Sequence, residues 1–270
     1  MTTKKLISRL TKRFVVIGIV TYLYWPITAV FMGASFYDVM RQKNKDKLFV
    51  LKQYFLVNGA LTWIFSPLNL LIDILSLPFI NKQVYKLEQL PQKHQEDIKK
   101  ILEQTPKKQI TDSINALTST SERTMMFYKW YGFNIENNYP CPLFHEKFKR
   151  VLTIGVSNFK PNSETSKHFG WLRAGIRVLI NIDEIVDEQA YLDVNNKRHV
   201  WATDGPLFIF DDTVMHQSFN LTDKPRNCLF IDIVRPSPFS FLISGLVKTF
   251  GFISINIPGF NSLSNWKVVK

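Results

Sequence analysis

Two long apolar stretches near the amino end and a series of short apolar segments after Val151 outline this chain. Phe14 to Tyr37 runs 24 residues without a charge, between basic flanks at Lys4, Lys5, Arg9, Lys12 and Arg13 and at Arg41, Lys43, Lys45 and Lys47. At about 1.5 Å per residue that length spans a ~30 Å hydrocarbon core, so it predicts a membrane segment. Pro26 near its middle predicts a bend, and basic flanks on both sides leave the orientation open. The second stretch, Tyr54 to Ile80, carries Asn58, Pro67, Asn69, Asp73 and Pro78. An aspartate at bilayer centre costs about 3 kcal/mol. Two half-length helices in the interface fit better, with Trp63 and Phe65 as anchors.

Val84 to Asp112 is polar and helical in pattern, with Leu87, Leu90, Ile98, Ile101 and Leu102 on its apolar face. Pro91 opens a helix there, since a proline is harmless in the first turn. His94 reads as a solvated helix residue, and Ser113 to Arg123 as a loop. The aromatic run Met126 to Pro142 predicts a packed cap, with Cys141 structural and His145 at the surface.

From Val151 the pattern turns to strands. Val151–Phe159, Gly175–Ile182, Tyr191–Val194, Arg198–Trp201, Leu207–Phe210 and Cys228–Val234 are short apolar or alternating runs. Asn195-Asn196 suits a tight hairpin turn, and His199 on its second arm reads as a surface strand residue. Seven or eight short strands without intervening helices predict a mainly β, double-stranded β-helix (jelly roll, cupin-like) fold behind the N-terminal membrane helices and a helical bridge. The expected divisions are 1–82 (membrane anchor), 83–125 (bridge), 126–236 (jelly roll) and 237–270, an apolar extension. Phe239 to Phe260 in that extension is interrupted by Lys248 and Pro258, so it would lie on a membrane or pack on the domain.

Composition adds three points. The formal charge is +12, which suits anionic partners, but no nucleic-acid-reading motif accompanies it. Lysine and arginine are spread along the chain, so most of the charge is solvated surface. Only two cysteines are present, which argues against a disulfide framework and for a reducing compartment.

The candidate chemistry lies in the strand region. His168 is followed nine residues later by Arg177, and His216 ten residues later by Arg226. Histidine suits a first-row metal, and the arginine fork suits a carboxylate. Two histidines half a domain apart can hold iron at a barrel mouth, and two arginines can hold the ends of a small dicarboxylate.

Short motifs in order strengthen this. They are FYKWYG at Phe127–Gly132, Cys141-Pro142, Ser157-Asn158-Phe159-Lys160-Pro161, H-x-G at His168–Gly170, and Arg177. Then come W-x-x-x-G at Trp201–Gly205, FDD-x-x-x-H at Phe210–His216, Arg226, and DIVRP at Asp232–Pro236. With these the chain resembles the aspartyl/asparaginyl β-hydroxylase superfamily of iron(II)- and 2-oxoglutarate-dependent oxygenases, and within it the bacterial lipid A 2-hydroxylases. The resemblance covers Phe127 to Pro236. It implies that His168 and His216 ligate iron and that Arg226 holds the distal carboxylate of 2-oxoglutarate. Arg177 and Ser157 would hold its other end, and Asp212 would orient His216 or a metal-bound water. Asp211 reads as a strand-end cap.

Two positions depart from the wider pattern. Gly170 stands where many such enzymes carry an acidic third ligand, and Leu179 where peptide-modifying relatives carry histidine. The implied function is a membrane-bound dioxygenase that hydroxylates a lipid acyl chain, using molecular oxygen, with its catalytic domain facing the cytoplasm. The alternatives are a peptidyl aspartyl/asparaginyl β-hydroxylase, favoured by Gly170, and a non-catalytic membrane-bound jelly roll, favoured by Leu179.

Overall fold

The computed structural model describes residues 24–58, 60–117, 123–256 and 267–269, together with Thr11, Val15, Val16, Gly18, Ile19, Thr21 and Tyr22. Eight strands form the frame: β4 (Val151–Phe159), β5 (Ser163–Glu164), β6 (Gly175–Asn181), β7 (Ala190–Val194), β8 (Lys197–Val200), β9 (Leu207–Phe210), β10 (His216–Asn220) and β11 (Arg226–Val234). They divide between two antiparallel sheets, alternating along the chain except at the β7–β8 hairpin. One runs β9-β6-β11-β4, and the other β5-β10-β7-β8. This is jelly-roll connectivity. The large sheet is extended by β1 (Val84–Tyr85) beside β9, and by β2 (Arg123–Trp130) beside β4. β12 (Lys267–Val269) and β3 (Phe133–Asn134) add to β2. The expected hairpin turn is present, with Asn195 and Asn196 both left-handed at φ 47° and 69°.

Alternation along the strands gives the large sheet two different faces. Its outer face carries Met126, Ile154, Val156, Ile176, Val178, Leu229, Ile231 and Ile233, packed under the helical bridge. That bridge is α5 (Gln92–Gln104) and α6 (Lys107–Ala116), which bury Ile98, Ile101, Ile110 and Ile114. Each such side chain stabilises the fold by about 1.5–3 kcal/mol. α5 starts after Pro91 as expected. His94 is not solvated. It is buried, with Nε2 3.0 Å from the Val234 carbonyl oxygen, because the helix presses this face onto the end of β11. The other expected boundary also moves. β2 begins at Arg123, so the sheet takes up residues that the pattern gave to the bridge. Most of the expected loop 113–123 is either in α6 or outside the described residues.

The amino-terminal region departs most from expectation. No helix among the described residues is long and apolar enough to cross a membrane. Residues 1–10, 12–14, 17, 20 and 23 lie outside the described residues, so the first part of the expected span is covered only in part. From Trp25 the chain forms α1 (Trp25–Met40), 16 residues long with Pro26 in its first turn. Pro26 therefore starts a helix rather than bending one. At about 1.5 Å per residue, α1 is shorter than a ~30 Å hydrocarbon core. α2 (Lys47–Lys52), a π-helical turn at Gln53–Val57, α3 (Ala60–Ile64) and α4 (Ser66–Leu75) follow.

These helices are fastened to the barrel by polar side chains, among them Asp73, whose charge counts against insertion. The Arg173 guanidinium bonds the carboxylates of Asp38 and, at 2.5 Å, Asp73. Arg235 bonds Asp73, and Arg41 bonds Asp211 at 2.9 Å. Arg173 is 1% exposed and Asp211 1%, so this network is dry and each charge needs its partner. Asp211 also accepts from the Thr213 backbone and hydroxyl, which is the cap expected of it. Trp63 packs with Val39, Val50, Tyr54 and Phe169.

After β11 the chain enters α9 (Ser240–Asn256), numbering α7 as Pro142–His145 and α8 as Trp201–Asp204. α9 buries Ile243, Val247, Gly251 and Ser254. Both cysteines are free and buried.

Candidate active site

The two histidines meet through the backbone. His216 opens β10, and His168 lies on the connection from β5 to β6. The two residues form an antiparallel bridge and exchange both backbone bonds, His168 N to His216 O at 3.1 Å and His216 N to His168 O at 3.0 Å. Residues directly opposite in such a pair project to one face. Their rings stand 4.2 Å apart between centroids, tilted by 54°.

Both rings are oriented the same way. His168 Nδ1 donates to Ser166 O at 2.6 Å, and His216 Nδ1 donates to Val214 O at 2.9 Å. Each Nε2 is thereby left with its lone pair. Burial, reinforced by Arg123 and Arg177, holds His168 down at about 4, and burial with His168 and the same cations holds His216 well below its ordinary value. Two neutral imidazoles with free Nε2 atoms are donors suited to a divalent first-row metal. Among the described residues no group of three or more His, Cys, Asp or Glu side chains converges to hold a metal. Nε2 of His168 and Nε2 of His216 are the two atoms here that would hold such an ion.

Gly170 explains the missing third ligand. A Cβ at this position would lie 2.6 Å from Cγ and Oδ1 of Asp212. The Asp212 carboxyl occupies the space that a side chain at position 170 would need. Asp212 does not orient His216, whose Nδ1 is held by Val214 instead. Its carboxylate pairs with Arg177 at 3.1 Å. Burial lifts the Asp212 carboxyl to about 7, against the pull of Arg177 and aided by Asp232 and Asp211.

Arg177 is not a free cation. It faces Asp232 across the β6–β11 pair and bonds it twice, Nε to Oδ1 at 2.9 Å and Nη2 to Oδ2 at 3.2 Å. With Asp212 it forms a compact three-member cluster. Leu179, the next inward residue of β6, packs with Phe127 and Phe230 over an apolar floor that includes Met125.

Arg226 is in a different condition. It is 1% exposed and donates from Nη2 to Ser218 Oγ at 2.7 Å, while its Nε has no partner. Its guanidinium carbon stands 4.4 Å from the Phe159 ring centroid and 5.4 Å from that of Trp201. Ser157 is buried on the same inner face and lies 3.4 Å from the Cys228 carbonyl.

Sequence reasoning missed Arg123. The register aligns Arg123 with Phe159 on β4, and Phe159 with Arg226 on β11. Arg123 lies 4.7 Å from the Phe159 ring, its Nε is also without a partner, and burial with the Arg177 and Arg226 charges lowers it to about 10. No carboxylate stands within 4 Å of Arg123 or Arg226 among the described residues. Its only sequence signal was a basic residue four positions before FYKWYG. Recognising it requires the strand register. His199, expected at the surface, is buried between Trp201 and Phe208, with Nε2 3.0 Å from Gly205 O.

The ligand-bearing segments are clamped by the helical layer. Asn58 donates to Phe169 O at 3.0 Å and accepts from Phe169 N at 2.9 Å, one residue after His168. Asn69 grips Trp171 O and Arg173 N in the same way. Gln42 Oε1 accepts from Met215 N at 3.0 Å, one residue before His216. A cavity of about 300 Å³ opens beside His216, lined by Lys167, Asp193, Asn195, Arg198 and Met215 among others.

A curated relative, the ornithine lipid ester-linked acyl 2-hydroxylase of Rhizobium tropici, is 26% identical over 166 residues, covering 58% of this chain and 58% of that protein. The chain thus spans little more than half the length of that relative. Among solved structures, the Schizosaccharomyces pombe Cnp3 cupin domain is similar at a TM-score of 0.30 and 9% identity, over 44% of this chain and 70% of that one. A cupin superfamily protein from Desulfitobacterium hafniense is similar at 0.28 and 9%, over 44% and 83%. The model of the aspartyl/asparaginyl β-hydroxylase family matches residues 88–236, from the start of the helical bridge through the last barrel strand, and the chain belongs to that family.

Proposed function

We propose that this hydroxylase-family chain is an iron(II)- and 2-oxoglutarate-dependent dioxygenase acting on a lipid acyl chain. The observation that carries the proposal is the pairing of two histidine rings, each held through Nδ1 with Nε2 left free, with Arg226 and Arg123, whose Nε atoms are buried without a partner. A divalent metal suits the first pair, and a small dianion suits the second.

In this reading Nε2 of His168 and of His216 hold iron(II). Arg226 and Arg123 hold 2-oxoglutarate, with the Ser218 hydroxyl fixing the Arg226 fork. Iron(II) with 2-oxoglutarate supplies the oxidising chemistry: oxygen puts one atom into a C–H bond and the other into succinate, with release of carbon dioxide. Asp232 keeps Arg177 in place, and Arg177 in turn holds Asp212 against Gly170. Asp212, lifted to about 7, can keep or release a proton at its carboxyl near neutral pH. Leu179, Phe127 and Phe230 keep water from the inner face.

Two things support a lipid substrate: the acyl hydroxylase activity for which the Rhizobium relative is named and the apolar side chains that α9 leaves exposed. We place the protein at a membrane surface with the barrel on the cytoplasmic side, consistent with its basic charge and two free cysteines.

The test has two parts. Purified protein with iron(II) is expected to release succinate from 2-oxoglutarate, and His216→Ala to abolish the release. Lipid mass spectrometry of expressing cells is expected to show acyl species heavier by one oxygen. Modified aspartate or asparagine with unmodified lipids would instead identify a peptidyl hydroxylase. No turnover by the parent protein would leave a binding role only.

A further inference from the structure

A second charged site lies away from the histidines. A cavity of about 480 Å³ is bounded by the β2–β3 turn, the loop after α7 and the side of α9. Lys129, Lys147, Lys149 and Lys248 line it. Lys129 is 6% exposed, and its ammonium donates to the Glu146 carbonyl oxygen at 3.1 Å, 5.9 Å from the Phe148 ring centroid. Glu146 is the acidic residue in the lining, and Lys100 already holds its carboxylate at 2.5 Å. Among the described residues none of the four lysines has a carboxylate within 4 Å. Gly132 is needed here. It has φ +92°, and a Cβ would lie 3.0 Å from the Lys248 stem that lies across it. Like charges gathered without counter-ions raise the potential of the cavity and favour an anion.

What borders this cavity indicates the source of the anion. Lys248 emerges from α9 beside Phe241, Phe252 and Ile255, which are 71%, 60% and 44% exposed. The opposite side of α9 is packed on the barrel. A helix with one face on its domain and aromatic side chains on the other suits the bilayer interface, where a lysine can reach back towards phosphate level. We propose that this cavity binds the phosphate of an anionic phospholipid headgroup while α9 lies in the membrane surface.

The full chain is tested by co-sedimentation with vesicles of phosphatidylcholine alone and of phosphatidylcholine with phosphatidylglycerol. Binding is expected to be tighter on the anionic vesicles and to weaken with salt. The triple variant Lys147→Gln, Lys149→Gln, Lys248→Gln is expected to lose that preference by about 100-fold, at roughly 1 kcal/mol per lysine, with unchanged thermal melting. Phe241→Ser with Phe252→Ser is expected to weaken binding to both vesicle types. Equal binding to the two vesicle types, or a triple variant indistinguishable from the parent, overturns the proposal. So does saturable binding of inorganic phosphate without any gain on anionic vesicles. The readout uses neither iron nor 2-oxoglutarate, so its failure and failure of the hydroxylase reading are separate results.

Discussion

Three arginines face the inner side of the large sheet, and their partners give them different work. Arg177 is neutralised by Asp232 and Asp212, so it is structural first. Arg177→Gln would leave the buried Asp232 and the half-buried Asp212 without their cation and is expected to cost about 1–3 kcal/mol, measured as a lower urea midpoint. Arg226 and Arg123 have no carboxylate to strand. Arg226→Gln and Arg123→Gln are each expected to raise the dissociation constant for 2-oxoglutarate by about 10- to 100-fold, since a hydrogen bond to a charged group contributes about 1.5–3 kcal/mol. Calorimetry with the metal-loaded protein reads the loss directly. Unchanged binding in Arg123→Gln would remove it from the site. The histidines and Arg226 were legible from spacing and motif alone. Arg123 was not, because it joins Arg226 only through strand register, with Phe159 between them.

Helices α1 to α4 position the site from outside it. Asn58 and Gln42 touch the residues next to the two histidines and neither ring. Asn58→Ala and Gln42→Ala are expected to weaken cobalt(II) binding by about 10- to 100-fold, the range seen when groups behind a metal ligand are removed. Both side chains donate as well as accept, Gln42 Nε2 to Asp38 O and Asn58 Nδ2 to Phe169 O, so Asn58→Asp and Gln42→Glu keep only the accepting bond and are each expected to restore binding only in part. The buried ion network predicts a different readout. Asp38→Ala leaves Arg173 short of a partner and is expected to cost about 3–5 kcal/mol. The apolar pattern of this region serves packing on the barrel only in part: α1 buries Ala34, Ser35, Asp38 and Val39, while Trp25, Ile27, Val30 and Met40 stay exposed. Asp38 and Asp73 show as anchors to the barrel only once Arg173 and Arg235 are seen to reach them. The strands were easier to read, since β4 and β9 needed only their own apolar runs and bounding turns.

Across the molecule, burial disfavours the charged form of four of the five histidines. Burial lowers His94 and His199 as well as the His168/His216 pair. The unfolded chain binds these protons near the ordinary value of 6.5, and the folded chain binds them only at lower pH. Stability present above about 6.5 is therefore lost as pH falls towards the folded values, near 4 for His168. Urea midpoints between neutral pH and pH about 5 are expected to fall, and His94→Gln to flatten part of that slope. Jelly-roll connectivity explains why the two histidine segments, far apart in sequence, end side by side: β5 and β10 are neighbours in one sheet. The most direct test of the account is an anaerobic titration of iron(II) and 2-oxoglutarate, followed by the visible absorption of the chelate. The parent chain is expected to develop that absorption at one equivalent of each, and His168→Ala and His216→Ala to show none. An absorption of equal strength in either variant would contradict the assignment of the histidine pair.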